Sequence, residues 1–130
     1  MENDTARVIR VFYTARERND RNALRDLLAE DVAWHDPYPP PHGGDLRGRD
    51  AVLRDVFEAA GELTGGTTRL WIESVVATDR HAAAVIGWSS VFRGRSMSGH
   101  ELAVFHVTDG RIVEAWFYPE NPNAVQAFFS

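Results

Sequence analysis

The feature that most constrains the fold is the close spacing of four apolar runs in the second half of the chain. These runs are residues 68–79, 81–92, 98–109 and 111–118, and they are rich in the β-branched and aromatic residues that favour strands. The short polar turns "TDRH", "RGRS" and "TDGR" separate them. Turns this short join antiparallel neighbours, because a parallel pair needs a crossover of about a dozen residues. The pattern therefore predicts a four-strand antiparallel meander.

The first half of the chain has a helical pattern instead. Three helices are predicted, from Asp4 to about Glu17, over 23–32 and over 46–63. We expect Asp4 or Thr5 to cap the first helix and Asp50 the third. A short strand, "VAWHDP", comes between the second and third helices, and residues 120–130 are predicted to be a polar turn and a tail. Helices followed by a meander predict one α+β domain over residues 1–130, with three N-terminal helices packed in a curved, mostly antiparallel sheet.

Alternation along the last three strands sorts their side chains into two faces. The predicted core face holds Ile86, Trp88, Ser90, Phe92, Glu101, Ala103, Phe105, Val107, Val113, Ala115 and Phe117. The outer face mixes polar and apolar groups and holds His100, Leu102, His106, Ile112, Glu114, Trp116 and Tyr118 among others. Such a mixed face predicts partial burial by a second subunit, and hence a homodimer.

Composition excludes several classes of protein. The chain has no Cys and no Lys, which excludes thiolate ligands, a cysteine nucleophile and a lysine Schiff base. Its formal net charge of -5 disfavours nucleic-acid binding, which needs a basic surface. No apolar run approaches the roughly 20 residues of a membrane helix, and the N-terminus is too polar for a signal peptide. We therefore expect a cytoplasmic protein that binds neither nucleic acid nor membrane.

The stretch "AWHDPYPPPHGG", residues 33–44, places ionisable side chains among four prolines. Proline fixes φ and removes a backbone donor, so this stretch predicts a stiff loop that ends a short strand. It carries Asp36, Tyr38 and His42. We expect the loop to hold Asp36 at the edge of a pocket, with Tyr38 and His42 over the opening.

The order of these elements resembles the nuclear transport factor 2-like superfamily, and within it the SnoaL-like polyketide cyclases and the ketosteroid isomerases. The likeness is carried by "WHDP" after the second helix, "LRGRDAV" at the third and "DGRIVEAW" in the final hairpin. It implies a cone-shaped fold, often with a deep apolar pocket. Members of the superfamily include cyclases, isomerases, hydrolases and dehydratases, and some only bind ligands.

The resemblance leaves several catalytic positions of these families without a suitable side chain. The two acidic donors that hold the enolate oxygen in the isomerases fall on Phe12 and Ala103, so steroid isomerisation is not supported. The acid/base aspartate of the cyclases falls on Phe117, although a shift in register would bring Glu114 or Glu120 near that place.

Asp36 matches the catalytic aspartate of the isomerases and is the first candidate for chemistry. Beside Trp34 and an apolar wall, desolvation would raise the pKa of Asp36 toward the range of a general base at neutral pH. The alternative is that Asp36 only caps the turn before the prolines.

Glu101 is the second candidate because it falls on the predicted core face. An inward carboxylate is unfavourable unless it is paired or protonated, and the alternative is a salt bridge to an arginine at the pocket rim. Asp36 and Glu101 at one pocket would suffice to move a proton on a substrate. Tyr38 and His42 are candidate acids or hydrogen-bond donors. A metal site of His35, Asp36 and His42 matches no strong motif, so we expect neither metal nor cofactor.

Inward apolar residues are predicted to bind the substrate: Phe12, Trp34, Val56, Ile86, Trp88, Ala103, Phe105 and Phe117. Two hypotheses remain open. The first is a cofactor-independent acid/base enzyme of the cyclase, isomerase or dehydratase type, acting on a small apolar organic molecule. The alternative is a non-catalytic ligand-binding or dimerisation module of the same fold.

Overall fold

The computed structural model describes residues 2–37 and 44–130. In chain order its elements are α1 (Asp4–Glu17), α2 (Arg21–Leu27), β1 (Leu28–Asp36), β2 (Gly44–Arg47), α3 (Arg49–Val52), a π-helical turn (Leu53–Glu58), α4 (Ala59–Thr64), β3 (Arg69–Ala77), β4 (His81–Phe92), β5 (Arg95–Thr108), β6 (Arg111–Pro119) and α5 (Pro122–Phe128). None of the helices in the described ranges is long and apolar enough to cross a membrane.

The six strands form one curved, unclosed sheet in the order β2-β1-β6-β5-β4-β3. Strands β1 and β6 run parallel, and every other neighbouring pair is antiparallel. The predicted meander from β3 to β6 is confirmed. Helix α1 packs on β3 and β4, and α3 packs on β1 and β2, so the helices lie in the curve of the sheet. The α+β fold class is confirmed.

Helix α1 is fixed to the sheet at its first turn. Asn3, and not Asp4 or Thr5, is the N-cap, and its side chain accepts a hydrogen bond from a first-turn N–H at 2.8 Å. The Asn3 amide donates to the Ala77 carbonyl at 3.0 Å, and the Thr5 hydroxyl donates to the Asp79 carbonyl at 2.9 Å. These bonds tie the helix start to the turn between β3 and β4.

The second predicted helix is shorter than expected. It ends at Leu27, and β1 begins at Leu28. Leu28 and Val32 are both 0% exposed, and Leu28 pairs with Ile112 of the parallel strand β6. Pairing with a strand that lies far away in the sequence therefore overrides the local helical pattern.

The third predicted helix, residues 46–63, begins later than expected because its first residues belong to the edge strand β2. Gly48, with φ +95°, turns the chain from β2 into α3, a conformation that glycine adopts at little cost. Asp50 does not cap the helix. Its carboxylate instead accepts a hydrogen bond from Arg25 at 2.7 Å.

The predicted core face of the sheet holds except at the start of β6. Ile112 is 0% exposed, whereas Val113 is only partly buried. The register between β5 and β6 shifts there, since His106 pairs with Glu114 and Val107 pairs with Ile112. The extra residue on β6 is a β-bulge, and it exchanges the two faces on its N-terminal side.

The predicted C-terminal tail is wrong, because residues 122–128 form helix α5. Asn121 caps it and Pro122 occupies its first turn, a typical helix start. The Phe128 ring lies 6.3 Å from that of Phe92, and the Arg95 guanidinium donates to the Phe128 carbonyl at 3.0 Å. Helix α5 is therefore bound to the ends of β4 and β5.

Several large apolar side chains are exposed on the outer face of the sheet. Tyr118 is 54% exposed, and Leu102, its partner across β5 and β6, is 42% exposed. The homodimer expected from this face stays a prediction.

Candidate active site

A cavity of about 360 Å³ lies between the inner face of the sheet, the helical segment 49–64 and α5. Its wall is mostly apolar. It consists of Arg16, Trp34, Asp36, Pro37, Val56, Ala59, Ala60, Leu63, Thr64, Thr68, Leu70, Trp88, Ser90, Glu101, Phe117, Val125, Gln126, Phe129 and Ser130.

The sequence-predicted site residues divide into two groups. Those on the cavity wall are Asp36, Glu101, Trp34, Val56, Trp88 and Phe117. The other apolar candidates, Phe12, Ile86, Ala103 and Phe105, are each 0% exposed and do not line the cavity. The Phe12 ring lies 5.9 Å from the rings of Trp34 and Phe105. These four residues therefore lie behind the cavity wall, and their contact with a substrate stays a prediction.

Tyr38 and His42 lie outside the described residues, so their roles stay predictions. In the candidate metal set of His35, Asp36 and His42, the first two residues sit on opposite faces of β1. The described ranges contain no group of three metal-ligating side chains.

Asp36 is held at the cavity by the two strands that flank β1. Its neighbour His35 points to the outer face, where its ring nitrogens meet Asp45 of β2 at 2.9 Å and Glu114 of β6 at 2.7 Å. The alternation of β1 then turns Trp34 and Asp36 inward together. The Trp34 ring packs 4.9 Å from Phe117, and Asp36 is half-buried beside this apolar surface.

Glu101 projects from β5 into the same cavity. Burial raises the pKa of Glu101 to about 7; the Arg16 charge lowers it and the Asp36 charge raises it further. The rim salt bridge considered as an alternative is not found, since no arginine lies within ion-pair distance of Glu101 in the part of the chain that the structure describes.

Arg16 is the charged wall residue that the sequence reasoning missed. Its guanidinium lies 4.6 Å from the Phe57 ring centroid, and burial lowers the pKa of Arg16. The signal is visible in the sequence. Arg16 continues the inward stripe of Ile9, Phe12 and Tyr13 at helical spacing, where an apolar residue is expected.

The hydroxyl groups of the cavity wall form hydrogen bonds with one another. Thr68 Oγ1 lies 2.9 Å from Ser90 Oγ and 3.1 Å from Thr64 Oγ1, and the Thr64 hydroxyl donates to the Ala60 carbonyl at 3.0 Å. By contrast, the side chains of Arg16 and Glu101 make no hydrogen bond within residues 2–37 and 44–130. The wall therefore presents two charged groups that are available to a ligand.

Tyr13 lies close to Glu101 and Arg16 but does not line the cavity. Its side chain is buried, and its hydroxyl has no hydrogen-bond partner among the described residues. Burial, and next the Glu101 charge, raises the pKa of Tyr13, so the phenol stays protonated. Its sequence position next to Phe12, the matched donor position of the isomerases, does not bring it into the cavity.

Helix α5 and the two residues that follow it contribute wall residues that the sequence reasoning also missed: Val125, Gln126, Phe129 and Ser130. They were missed because residues 120–130 were interpreted as a tail. The pair Asn121-Pro122 was the available signal, since an N-cap followed by proline favours a helix start.

The curved, unclosed sheet with helices packed against it is the nuclear transport factor 2-like fold. Solved structures described as NTF2-like proteins match this chain over nearly their whole length. More closely, the SnoaL-like domain family matches residues 9–115, and the chain belongs to that family. A comparison with curated proteins finds no match.

Three solved structures illustrate the shared fold. Bal32a, from a soil-derived mobile gene cassette, has a TM-score of 0.91 and 24% identity over 98% of this chain and 97% of its own. TerC, co-crystallised with polyporic acid, has a TM-score of 0.85 and 16% identity over 98% of each chain. IdmH, a candidate polyketide cyclase from Streptomyces antibioticus, has a TM-score of 0.77 and 23% identity over 93% of this chain and 95% of its own.

Proposed function

We propose that this protein is a cofactor-independent acid/base enzyme of the cyclase, isomerase or dehydratase type. Its substrate would be a small apolar organic molecule with an acidic C–H next to a carbonyl group. The observation that carries the proposal is that two carboxylates, Asp36 and Glu101, face one largely apolar cavity from different strands. Two carboxyl groups in unequal environments can act as base and acid in one reaction.

The roles follow from the positions of the two groups. Asp36 is half-buried at the end of β1 and would take the proton from the substrate carbon. Glu101, with a pKa near 7, would be protonated in a good fraction of molecules at neutral pH. It would return a proton to the carbonyl oxygen or to another carbon. A general acid or base works best when its pKa lies near the working pH.

The size and wall of the cavity support a small apolar substrate. A volume of about 360 Å³ lies within the usual range of small-molecule pockets. The fold neighbours agree with this class, since IdmH is a candidate polyketide cyclase and TerC was crystallised with polyporic acid.

The proposal is tested by exchange of carbon-bound hydrogen. Benzo-fused cyclic ketones such as 2-tetralone are first ranked for binding by quenching of tryptophan fluorescence. Those that bind are then incubated with the protein in D₂O, and loss of the α-proton signal is followed by NMR. Asp36→Asn and Glu101→Gln are compared with Glu62→Gln, which changes an exposed carboxylate of α4.

We expect the wild-type protein and the Glu62→Gln variant to exchange the α-proton well above the buffer rate. Asp36→Asn is expected to lower the rate by about 10²-fold or more, the usual contribution of a positioned base. If ketones bind but exchange no faster than in buffer, the acid/base proposal fails. In that case the chain is better described by the alternative, a ligand-binding module without catalysis.

A further inference from the structure

Within the described residues, no ion pair is found at Arg16, which lines the cavity. Its guanidinium packs over Phe57, and the charges of Asp36 and Glu101 act on its pKa through space. In the described ranges the Arg16 side chain donates no hydrogen bond. No described residue accepts from the guanidinium, so its N–H groups can donate to a group that enters the cavity.

An unbonded guanidinium at an apolar wall is energetically unfavourable by itself. Charged side chains are almost never buried unless they are paired, because the interior solvates an ion poorly. The stem of a long arginine usually carries its head group to water, and at an exposed site this one would do so. Here α1 is anchored at Asn3 and Thr5. This anchoring fixes the inward face of the helix, and with it the position of Arg16 at the cavity wall.

We propose that Arg16 binds an anionic oxygen of the ligand, so that the cavity takes apolar molecules that carry a carboxylate or an acidic enol. A guanidinium presents a planar set of N–H donors that matches a carboxylate or an enolate oxygen. The inference deepens the proposed function and rests on it for the cavity being the reaction site. The binding step is measurable without any turnover.

The same contact would serve the proposed chemistry. When Asp36 removes a proton next to a carbonyl group, negative charge develops on the carbonyl oxygen. The matched donor positions of the isomerases are Phe12 and Ala103, which cannot donate a hydrogen bond. Arg16 lies one helical turn after Phe12 and, unlike Phe12, lines the cavity, so its N–H groups would hold the enolate oxygen there.

The charges around Arg16 determine how the affinity for an anionic ligand changes with pH. The groups that act on the guanidinium are Tyr13, Glu17 and Glu101, together with Asp36. Tyr13 stays neutral, and Glu101, with a pKa of about 7, changes its charge near neutral pH. A bound anion is repelled by ionised Glu101. Anion affinity is therefore expected to rise as the pH falls from 8 to 6.

Two pairs of ligands separate the possible sources of the anionic oxygen. In the first pair, 2-naphthoate is compared with the neutral 2-naphthamide by isothermal titration calorimetry. The second pair consists of the neutral and the ionised form of 4-nitrophenol, which report an enolate-like oxygen because the phenolate form absorbs visible light. The variants are Arg16→Met, which keeps an apolar stem against Phe57, and Arg16→Lys, which keeps the charge. Arg7→Met, at an exposed Arg7–Asp4 pair, is the matched control.

We expect the wild-type protein and Arg7→Met to bind naphthoate at least about tenfold more tightly than naphthamide, and to lower the pKa of bound nitrophenol. A charged hydrogen bond in a poorly solvated site accounts for a factor of this size. Arg16→Met should remove both effects, and Arg16→Lys should restore part of them. A preference for only one of the two anions identifies the ligand as a carboxylic acid or as an enol.

The proposal is overturned if folded Arg16→Met, checked by its thermal melting curve, keeps the wild-type preference for naphthoate and the wild-type nitrophenol spectrum. It is also overturned if the wild-type protein shows no preference in either pair. Asp36→Asn separates this result from the proposed function. That variant should lose ketone exchange and still bind the anions at least as well as the wild-type protein.

Discussion

Asp36 and Glu101 lie on β1 and β5, the two strands that flank β6, and both face the same cavity. The Asp36 charge raises the pKa of Glu101 in the same direction as burial does. Between the two strands, β6 adds Phe117 to the wall and keeps the surface between the carboxylates apolar. The sheet thus favours a state in which Glu101 holds a proton close to neutral pH.

This relationship predicts a pH-dependent effect on stability. The folded pKa of Glu101 is about 7 against a reference of 4.5, so folding favours the protonated carboxyl group. Its contribution is fully present below pH 4.5 and is lost as the pH rises through 7, a loss on the order of 3 kcal/mol. Glu101→Gln should therefore raise the free energy of unfolding at pH 8 and leave it nearly unchanged at pH 4. Urea unfolding measures both.

Glu62→Gln is the control for that experiment, because its side chain is exposed on α4. It should change the unfolding free energy little at either pH. A Glu101→Gln variant that is no more stable than the wild-type protein at pH 8 would show that Glu101 is not desolvated in the folded state.

The His35 cluster predicts a pH dependence of stability with the same direction as that of Glu101, over a higher pH range. Hydrogen bonds to Glu114 and then to Asp45 raise the pKa of His35 above its reference of 6.5. The stabilisation is fully present below pH 6.5 and is lost as the pH rises through the raised value. His35→Gln should therefore lower the melting temperature more at pH 5.5 than at pH 8.5.

A double-mutant cycle separates the His35 cluster from a general packing effect. His35→Gln and Glu114→Gln remove the two ends of one 2.7 Å contact, so their effects should not add at pH 5.5. Additive effects at that pH would contradict a direct stabilising contact between the two side chains.

Much of the fold was predictable because the meander is local. Strands joined by short turns, with side chains alternating along them, predict both the pairing of β3 to β6 and the inward position of Glu101. Where the fold depends on pairing between distant segments, the sequence pattern was insufficient. The parallel pair of β1 and β6 converts residues 28–32 from helix to strand, and the bulge at Val113 shifts the faces of β6.

The site was predictable only in part, because some of its wall residues come from helices whose packing has no local sequence pattern. Asp36 and Glu101 could be placed by alternation on their strands, whereas Arg16 required a cation to be accepted on the buried stripe of α1. Arginine is mostly exposed, so the residue type argued against that position. The wall formed by α5 depends on a seven-residue helix whose docking on β4 and β5 has no local signature.

Phe129, which directly follows helix α5, is expected to contribute to ligand affinity. Its ring packs 5.5 Å from Phe92 and 4.8 Å from Phe128, and it lines the cavity. Phe129→Ala removes this apolar surface and should weaken naphthoate binding by about tenfold. Calorimetry measures the change, with Val11→Ala on the exposed side of α1 as the control. Unchanged affinity would indicate that the ligand does not reach α5.

The outer face of the sheet is expected to bind a second copy of the chain. Apolar side chains are continuous across its strands, since Tyr118 pairs with Leu102, and Trp116 pairs with Val104. Of these residues, Tyr118 and Leu102 are exposed, and neighbouring exposed apolar side chains are typical of an interface. Leu102→Asp should shift the protein from dimer to monomer in sedimentation equilibrium. A wild-type protein that is monomeric at high micromolar concentration would contradict the homodimer.

The central claim is that Glu101 shares a dry, acid/base cavity with Asp36. The most direct measurement is a pH titration of the Glu101 side-chain carboxyl by ¹³C NMR, in the wild-type protein and in Asp36→Asn. We predict a pKa of about 7 in the wild-type protein and a lower value in the variant, where the Asp36 charge is absent. A wild-type pKa near 4.5 that does not move in Asp36→Asn would contradict the account.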